Sequence, residues 1–147
     1  MTSSAGRRNA PVHRDLIVCI DGASRGNPGP AAIGVVVFDG RTPVREIGEA
    51  IGITTNNVAE YRALLRGLRE AASLGARAVR VQSDSELLVR QLTGQYRVKS
   101  EALLALYRQV RQRMRHFETV SFRHVPRGQN ARADALANRA LDAEERS

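Results

Sequence analysis

The sequence contains a single cysteine, no tryptophan and no apolar run close to the roughly 20 residues that a membrane-spanning helix needs. The one thiol, Cys19, excludes an intramolecular disulfide and a cysteine-type metal site, which favours a reducing compartment. The N-terminal residues include arginines but no apolar segment of the kind found in secretory signals. We therefore expect a cytoplasmic protein with no membrane partner.

Lysine is nearly absent as well, because Lys99 is the only one and the other cationic side chains are arginines. Lysine and arginine together number 23 against 15 acidic residues, which gives a formal net charge of +8. Such an excess predicts a polyanionic partner, above all a nucleic acid, although a merely basic surface is an open alternative.

The chain has the length and composition of one globular domain, with 147 residues, of which 42% are hydrophobic and 26% charged. Residues 1–14 predict a disordered basic tail, residues 15–143 the folded domain, and residues 144–147 a short C-terminal tail. The sequence shows no internal repeat and no low-complexity segment. We therefore expect one folded unit with short ends.

The apolar pattern changes its period along the domain. Three β-rich runs come first, beginning with LIVCI at residues 16–20, and the short DGRTP between the second and the third predicts a hairpin. Helical spacing then alternates with two further strand patterns, so the predicted order is β-β-β-α-β-α-α-β-α. This order predicts an α/β fold, in which a five-stranded mixed sheet (three antiparallel strands, then crossovers) is flanked by helices.

Four acidic side chains occupy unexpected positions. Asp21 ends the first apolar run, Asp84 ends the fourth strand pattern, and Glu60 lies on the apolar arc of the first helix. Asp134 lies early in the last helix, on its apolar side. Each has an alternative: Asp84 could cap a helix, Glu60 and Asp134 could be first-turn acids, and a buried Asp21 could have a hydrogen-bonded partner, a cation or a bound proton. A shared explanation is that all four meet at one sheet edge and hold a divalent metal, for which oxygen ligands favour Mg²⁺.

Two further segments carry polar side chains suited to nucleic acid. TTNN at residues 54–57 exceeds what one helix cap needs, and we expect Thr55 or Asn56 to be that cap. In the segment before the last helix, Arg127 is a better candidate than His124 for contact with phosphate, because a lone histidine at a strand end is more often structural.

The Gly-rich loop at residues 22–30, GASRGNPGP, is a turn rather than a nucleotide-triphosphate loop, because it lacks the Gly-Lys-Ser/Thr ending. We expect a type II turn centred on Pro28 and Gly29. Gly22 and Gly26 would let a nucleic-acid backbone come close to the end of the first strand.

Four segments in order, DGASRGNPGP, TTNNVAEYRALLRGL, VQSDSELLVRQL and ADALAN, resemble ribonuclease H of the bacterial type I class. The resemblance implies the RNase H-like fold and endonucleolytic cleavage of the RNA strand of RNA–DNA hybrids, leaving 5′-phosphate and 3′-hydroxyl ends. It also implies two Mg²⁺ ions, with Mn²⁺ as a substitute. The metal-binding catalytic acids of the family fall on Asp21, Glu60, Asp84 and Asp134.

The same resemblance implies a set of substrate contacts. The hybrid-reading positions of the family fall on Asn27, Thr55, Asn56 and Asn57, where contacts with the 2′-hydroxyl and the DNA phosphates are expected. Tyr96 resembles an aromatic residue that packs against the DNA strand. The implied partner is an RNA–DNA hybrid duplex. We expect a monomer, although the sequence leaves the oligomeric state open.

The chain departs from the family pattern at three places. The segment at residues 94–102 is too short for the basic segment of some members and leaves only Arg97 and Lys99. The loop before the fourth acid lacks the mobile histidine of many members, and Arg127 is the candidate substitute. Ile53 stands where some members have an arginine that helps to hold a DNA phosphate.

Two other functions stay open beside a hybrid-specific ribonuclease. One is a nuclease of broader range that also cuts duplex RNA, and the other is a module that binds hybrids without cutting them. The presence of all four acids favours an enzyme over a binding module.

Overall fold

The five predicted strands form one mixed sheet in the computed structural model, which describes residues 15–146. The predicted tail at residues 1–14 lies outside this range. The spatial order is β3-β2-β1-β4-β5, in which β1, β2 and β3 are antiparallel neighbours and β4 and β5 run parallel to β1. This confirms the predicted topology. The strands are β1 (Asp15–Ser24), β2 (Gly29–Asp39), β3 (Thr42–Thr54), β4 (Ala78–Ser83) and β5 (Thr119–His124).

The four predicted helices are present, and a short 3₁₀ helix that the sequence pattern did not predict precedes the last of them. The last helix continues through residues 144 and 145, which were predicted to belong to the C-terminal tail. Within residues 15–146, no helix is long and apolar enough to cross a membrane. The helices are α1 (Asn56–Ser73), α2 (Glu86–Leu92), α3 (Glu101–Met114) and α4 (Ala131–Glu145), and the 3₁₀ helix spans Arg127–Asn130.

Both faces of the central strands are buried, which explains why β1 and β2 read as continuous apolar runs. Alternate β1 residues such as Val18 and Ile20 pack with α1, α2 and α3 in the main core. On the other face, Cys19 packs with Val36 of β2 and Ala133 of α4. The end of β1 is therefore held between two helical layers.

The helix caps settle two of the open alternatives for the acidic residues. Thr55 caps α1, because its Oγ1 accepts a hydrogen bond from the Val58 N–H at 3.3 Å. The cap of α2 is Ser85, whose Oγ accepts from the Leu88 N–H at 3.2 Å, so the alternative that Asp84 is the cap is wrong. Glu60 is the fifth residue of α1 and lies beyond its first turn, so the alternative that it is a first-turn acid is wrong as well.

The predicted type II turn at Pro28 and Gly29 is also wrong. Such a turn needs a positive φ at Gly29, but the left-handed residue of this loop is Gly26, with φ of 101°. Gly29 is already the first residue of β2 and pairs with Thr54. The Asn27–Pro28 peptide bond is cis, and the Arg25 N–H donates to the Pro30 carbonyl oxygen at 2.8 Å.

Candidate active site

The parallel pairing of β1 with β4 places two acids side by side. Ile20 is opposite Ser83 in this register, so Asp21 and Asp84, the next residues of each chain segment, emerge at the same edge of the sheet. Asp21 lies in the buried part of β1, and Asp84 follows directly after Ser83, the buried last residue of β4, so strand packing restricts the positions of both. The sheet therefore brings together two carboxylates that lie 63 residues apart in the sequence.

Glu60 reaches the same edge because α1 packs directly on Gly22. A Cβ atom at Gly22 would lie only 2.3 Å from the Glu60 nitrogen, so a side chain at this position would push the helix away. The Gly22 N–H donates a hydrogen bond of 3.0 Å to Oε1 of Glu60 and orients the carboxylate. Gly22 was expected to leave room for a nucleic-acid backbone, whereas it is buried and leaves room for α1.

Asp21, Glu60 and Asp84 form a compact acidic cluster, in which one carboxylate oxygen of each residue lies within 4.8 Å of the others. Asp21 is 5% exposed and Glu60 is 8% exposed. Burial first, and then the neighbouring charge of Asp84, raise the pKa of Asp21 to about 8. Burial also raises the pKa of Glu60 and of Asp84.

The electrostatics and the ligand type of this cluster fit a divalent cation. Crowded, partly buried carboxylates are costly to ionise together unless a counter-charge is present. All three donors are oxygen atoms, which are the ligands of hard ions such as Mg²⁺, Mn²⁺ and Ca²⁺. The chain therefore carries a site with the chemistry to bind divalent metal.

Asp134 approaches the cluster from the opposite face of the sheet, on the first turn of α4. Its carboxyl adds to the causes that raise the pKa of Asp21, after burial and the charge of Asp84. Arg127 of the 3₁₀ helix lies beside it, with 3.6 Å between Nη2 of Arg127 and Oδ1 of Asp134. Both residues line the same open depression as the cluster, so the four predicted acids share one site.

Asn130 joins this corner of the site to β1, and the sequence pattern did not single it out. Its side chain is 2% exposed, and Nδ2 donates a hydrogen bond of 2.8 Å to the carbonyl oxygen of Ile20, the residue before Asp21. Asn130 stands four residues before Asp134, one helical turn away, which is the spacing that could have drawn attention to it. It connects the start of α4 to the strand that carries Asp21.

Comparison with known proteins agrees with this geometry. A family model described as reverse transcriptase-like matches residues 19–140. A structure of RNase H1 from the halophilic archaeon Halobacterium salinarum NRC-1 is 45% identical, with a TM-score of 0.85 over 88% of this chain and 98% of that one. The chain belongs to the ribonuclease H-like family.

Two other relatives in the ribonuclease H-like family add a bound substrate and a longer chain to this comparison. A structure of LC11-RNase H1 in complex with an RNA/DNA hybrid is 42% identical, with a TM-score of 0.84 over 88% of this chain and 98% of that one. The bifunctional protein Rv2228c of Mycobacterium tuberculosis is 47% identical over 130 residues, which make up 87% of this chain and 36% of that protein. The chain thus spans about a third of the length of this curated relative.

Four of the residues predicted to contact the substrate lie together at the start of α1 in this ribonuclease H-like domain. Asn56 and Asn57 line the depression next to the acids. Asn27 lies in the β1–β2 loop, and its Oδ1 accepts a hydrogen bond of 3.0 Å from the Asn56 N–H. Thr55 caps α1 directly behind them. Hydrogen bonds therefore hold Asn27, Thr55 and Asn56 at the start of α1.

Tyr96 belongs to a different surface of the ribonuclease H-like domain. It is 48% exposed between α2 and α3, where it lines a groove together with Gln91, Gln95 and Tyr107. The guanidinium of Arg90 lies 5.4 Å from the centre of its ring, which is cation–π distance. An exposed aromatic ring next to a cation suits contact with a nucleic-acid strand at a distance from the acids.

His124, which was expected to be structural, lines the same depression as the acids. It is the last residue of β5 and lines the depression, with its Nε2 3.3 Å from the main-chain oxygen of Asp84. Arg127 lines the same rim and is 78% exposed at its side chain. The ribonuclease H-like site therefore has both a histidine and an arginine among the residues that line the depression.

Proposed function

We propose that the chain is a metal-dependent endoribonuclease that hydrolyses the RNA strand of RNA–DNA hybrids, leaving 5′-phosphate and 3′-hydroxyl ends. The observation that carries the proposal is the cluster of Asp21, Glu60 and Asp84, with Asp134 beside it, in an RNase H-like fold. The relative crystallised with an RNA/DNA hybrid supports the choice of substrate. The net charge of +8 suits a polyanion.

The four acids would hold two Mg²⁺ ions, with Mn²⁺ as a substitute. When bound, such ions activate a water molecule for attack on the phosphodiester and stabilise the leaving 3′-oxygen. The protein contributes the rigid placement of the carboxylates, through the β1–β4 register and the Gly22 hydrogen bond to Glu60. Asp21 and Glu60 must lose any bound proton first, because the ionised carboxylate is the metal ligand.

The remaining predicted contacts would recognise the two strands of the hybrid. Asn27, Asn56 and Asn57 offer amide groups for the 2′-hydroxyl and for base edges near the acids, which is how a protein distinguishes RNA from DNA. Thr55 would contribute to the DNA-phosphate contacts, and Tyr96 would pack on the DNA strand, where its exposure makes it accessible. Arg127 would bind phosphate at the rim of the depression.

A panel of substrates tests the proposal. Labelled RNA–DNA hybrid, duplex DNA and duplex RNA are each incubated with the folded protein in Mg²⁺, in Mn²⁺ and in EDTA, and the products are analysed for their end groups. We expect metal-dependent cleavage of the hybrid RNA strand only. Cleavage of duplex RNA at a similar rate would replace the proposal with a broader nuclease, and tight hybrid binding without turnover would replace it with a binding module.

We further propose that the chain acts as a monomer in the cytoplasm. The buried and isolated Cys19 supports a reducing compartment, since burial raises the pKa of its thiol to about 11 and disfavours the reactive thiolate. Sedimentation of the protein with and without a short hybrid tests the oligomeric state, and a dimer in both would contradict it.

A further inference from the structure

The loop between β1 and β2 is fastened to the start of α1. The Asn27 side chain accepts a hydrogen bond from the Asn56 main chain, as described above. In return, Oδ1 of Asn56 accepts hydrogen bonds from the Ser24 N–H at 2.9 Å and from the Ser24 hydroxyl at 3.0 Å. The loop and the helix start therefore form one unit, which contains four of the residues proposed to contact the hybrid: Asn27, Thr55, Asn56 and Asn57.

The same loop is fastened on its other side to the last two turns of α4. Nη2 of Arg25 lies 2.7 Å from Oδ1 of Asp142, and Nη1 lies 2.8 Å from Oε2 of Glu145. Hydrogen bonds to these two carboxylates raise the pKa of the Arg25 guanidinium. Since α1 and α4 pack on opposite faces of the sheet, Arg25 links the loop to a second, separately anchored helix.

Arg25 also lines the depression that holds the acids, so direct contact with a substrate phosphate is the competing explanation. Both of its terminal nitrogens, however, already face carboxylates. Two negative charges beside one guanidinium leave a net negative local field, which makes a poor phosphate site. The geometry thus favours a role in holding the loop over a role in binding the phosphate.

We propose that Arg25, Asp142 and Glu145 form a latch that positions the β1–β2 loop, and through Asn27 the start of α1, for binding the hybrid. The proposal rests on the proposed function and adds three positioning residues to it. The two ends of α4 would then have different roles: its first turn carries Asp134 at the acids, and its last turns contribute to substrate affinity through the latch.

Kinetics of four variants test the latch. Arg25→Ala breaks it from the loop side, the double variant Asp142→Asn/Glu145→Gln breaks it from the helix side, and the triple variant combines them. We expect each of the first two to raise KM for the hybrid by about three- to tenfold with little change in kcat, because exposed ion pairs are individually weak. The triple variant should be no worse than either, since both act on one interaction. Arg77→Ala, which breaks the exposed Arg77–Glu118 pair elsewhere, is the matched control and should leave KM unchanged.

The outcomes separate the two explanations for Arg25. If neutralising Asp142 and Glu145 lowers KM while Arg25→Ala raises it, Arg25 binds phosphate directly and the latch is wrong. Additive effects in the triple variant, or unchanged KM in all variants, would also overturn it.

Amide exchange on the free protein gives a readout that does not depend on cleavage. Breaking the latch from either side should speed exchange of the Asn56 and Ser24 amides, whose acceptors lie in the fastened unit. Unchanged exchange at both amides would contradict the latch even if KM rose. If the protein cleaves no hybrid, the proposed function fails, while exchange still decides whether the latch exists.

Discussion

Asp21 illustrates how the site depends on single residues. It lies in β1, which is buried on both faces, and one of its carboxylate oxygens lies within 4.8 Å of those of Glu60 and Asp84. Burial first, and then the neighbouring acids, raise the pKa of its carboxyl to about 8. The ordinary alternatives failed for Asp84 and Glu60, because Ser85 supplies the cap of α2 and Glu60 stands past the first turn of α1. Asp134 does occupy a first turn, as its ordinary alternative expected, and it also lines the depression that holds the other acids.

Replacing one acid by its amide tests the cluster with little change in shape. We expect Asp84→Asn to lower kcat for hybrid cleavage by at least about 10³-fold, because a neutral amide is a weak ligand for a hard cation. The Kd for the hybrid, measured by fluorescence anisotropy, should stay within about threefold, because the substitution only removes a negative charge that would face the phosphates of the substrate. Glu101→Gln, at the exposed start of α3, is the matched control. A variant that keeps more than a tenth of the activity would exclude Asp84 from the metal site.

The protonation of Asp21 predicts a pH-dependent stability of the metal-free protein. The folded-state pKa of about 8 lies above the ordinary value of 3.8, so the folded state binds the proton more tightly than the unfolded state does. Stability from this source is complete below about pH 4 and is lost as the pH rises through about 8. In EDTA, we therefore expect the melting temperature to fall by at least about 3 °C between pH 5.5 and pH 8.5.

The same linkage predicts the effect of metal on the melting temperature. Mg²⁺ should stabilise the protein more at pH 8.5 than at pH 5.5, because the ion competes with protons for the carboxylates. Calorimetry at both pH values, with Asp21→Asn as the control, measures the difference. An equal Mg²⁺ effect at the two pH values would contradict a metal site at Asp21.

At the scale of elements, close packing of helices on strands determines where the acids stand. Gly22 lets α1 approach β1, and Gly34 lets α4 approach β2 in the same way. A Cβ atom at Gly34 would lie 1.9 Å from the main-chain oxygen of Ala133, the residue before Asp134. The helices that carry Glu60 and Asp134 are thus positioned by glycines on the strands beneath them.

A methyl group at Gly34 should therefore displace α4. We expect Gly34→Ala to lower the free energy of unfolding by about 2 kcal/mol or more, because the clashing atom belongs to the backbone and cannot rotate away. Activity should fall as well, since the start of α4 carries Asp134. Gly128→Ala is the control, because a Cβ atom there has nothing within 4 Å among the described residues. Urea unfolding of both variants gives the comparison, and equal stabilities would show that α4 is not closely packed at Gly34.

At the scale of the whole molecule, the excess of positive charge is the dominant long-range feature. Many arginines of residues 15–146 form exposed ion pairs with acidic residues, but an ion pair is neutral as a unit and leaves the net charge of +8 unchanged. Charges on the surface act on a nucleic acid through screened electrostatics, in which released counterions provide much of the binding free energy.

Binding of a hybrid should therefore depend strongly on salt. With the Asp84→Asn variant, which separates binding from cleavage, we expect the Kd for a short hybrid to rise by at least about tenfold between 50 mM and 200 mM KCl. Titration by anisotropy at four salt concentrations measures the slope. A Kd that is independent of salt would mean that phosphate contacts contribute little to recognition.

The sequence alone determined the five strands, the four α-helices and their order, and it singled out the four acids as candidates, because apolar periodicity and the motifs reside in neighbouring residues. The tertiary structure alone decided contacts between distant residues: Asn27 with Asn56, Asn130 with Ile20, and Arg25 with Asp142, which lie 29, 110 and 117 positions apart. The tertiary structure also decided that Gly22 leaves room for α1 and that Ser85 is the N-cap of α2. Such contacts depend on how helices pack against the sheet, and no local pattern encodes that packing.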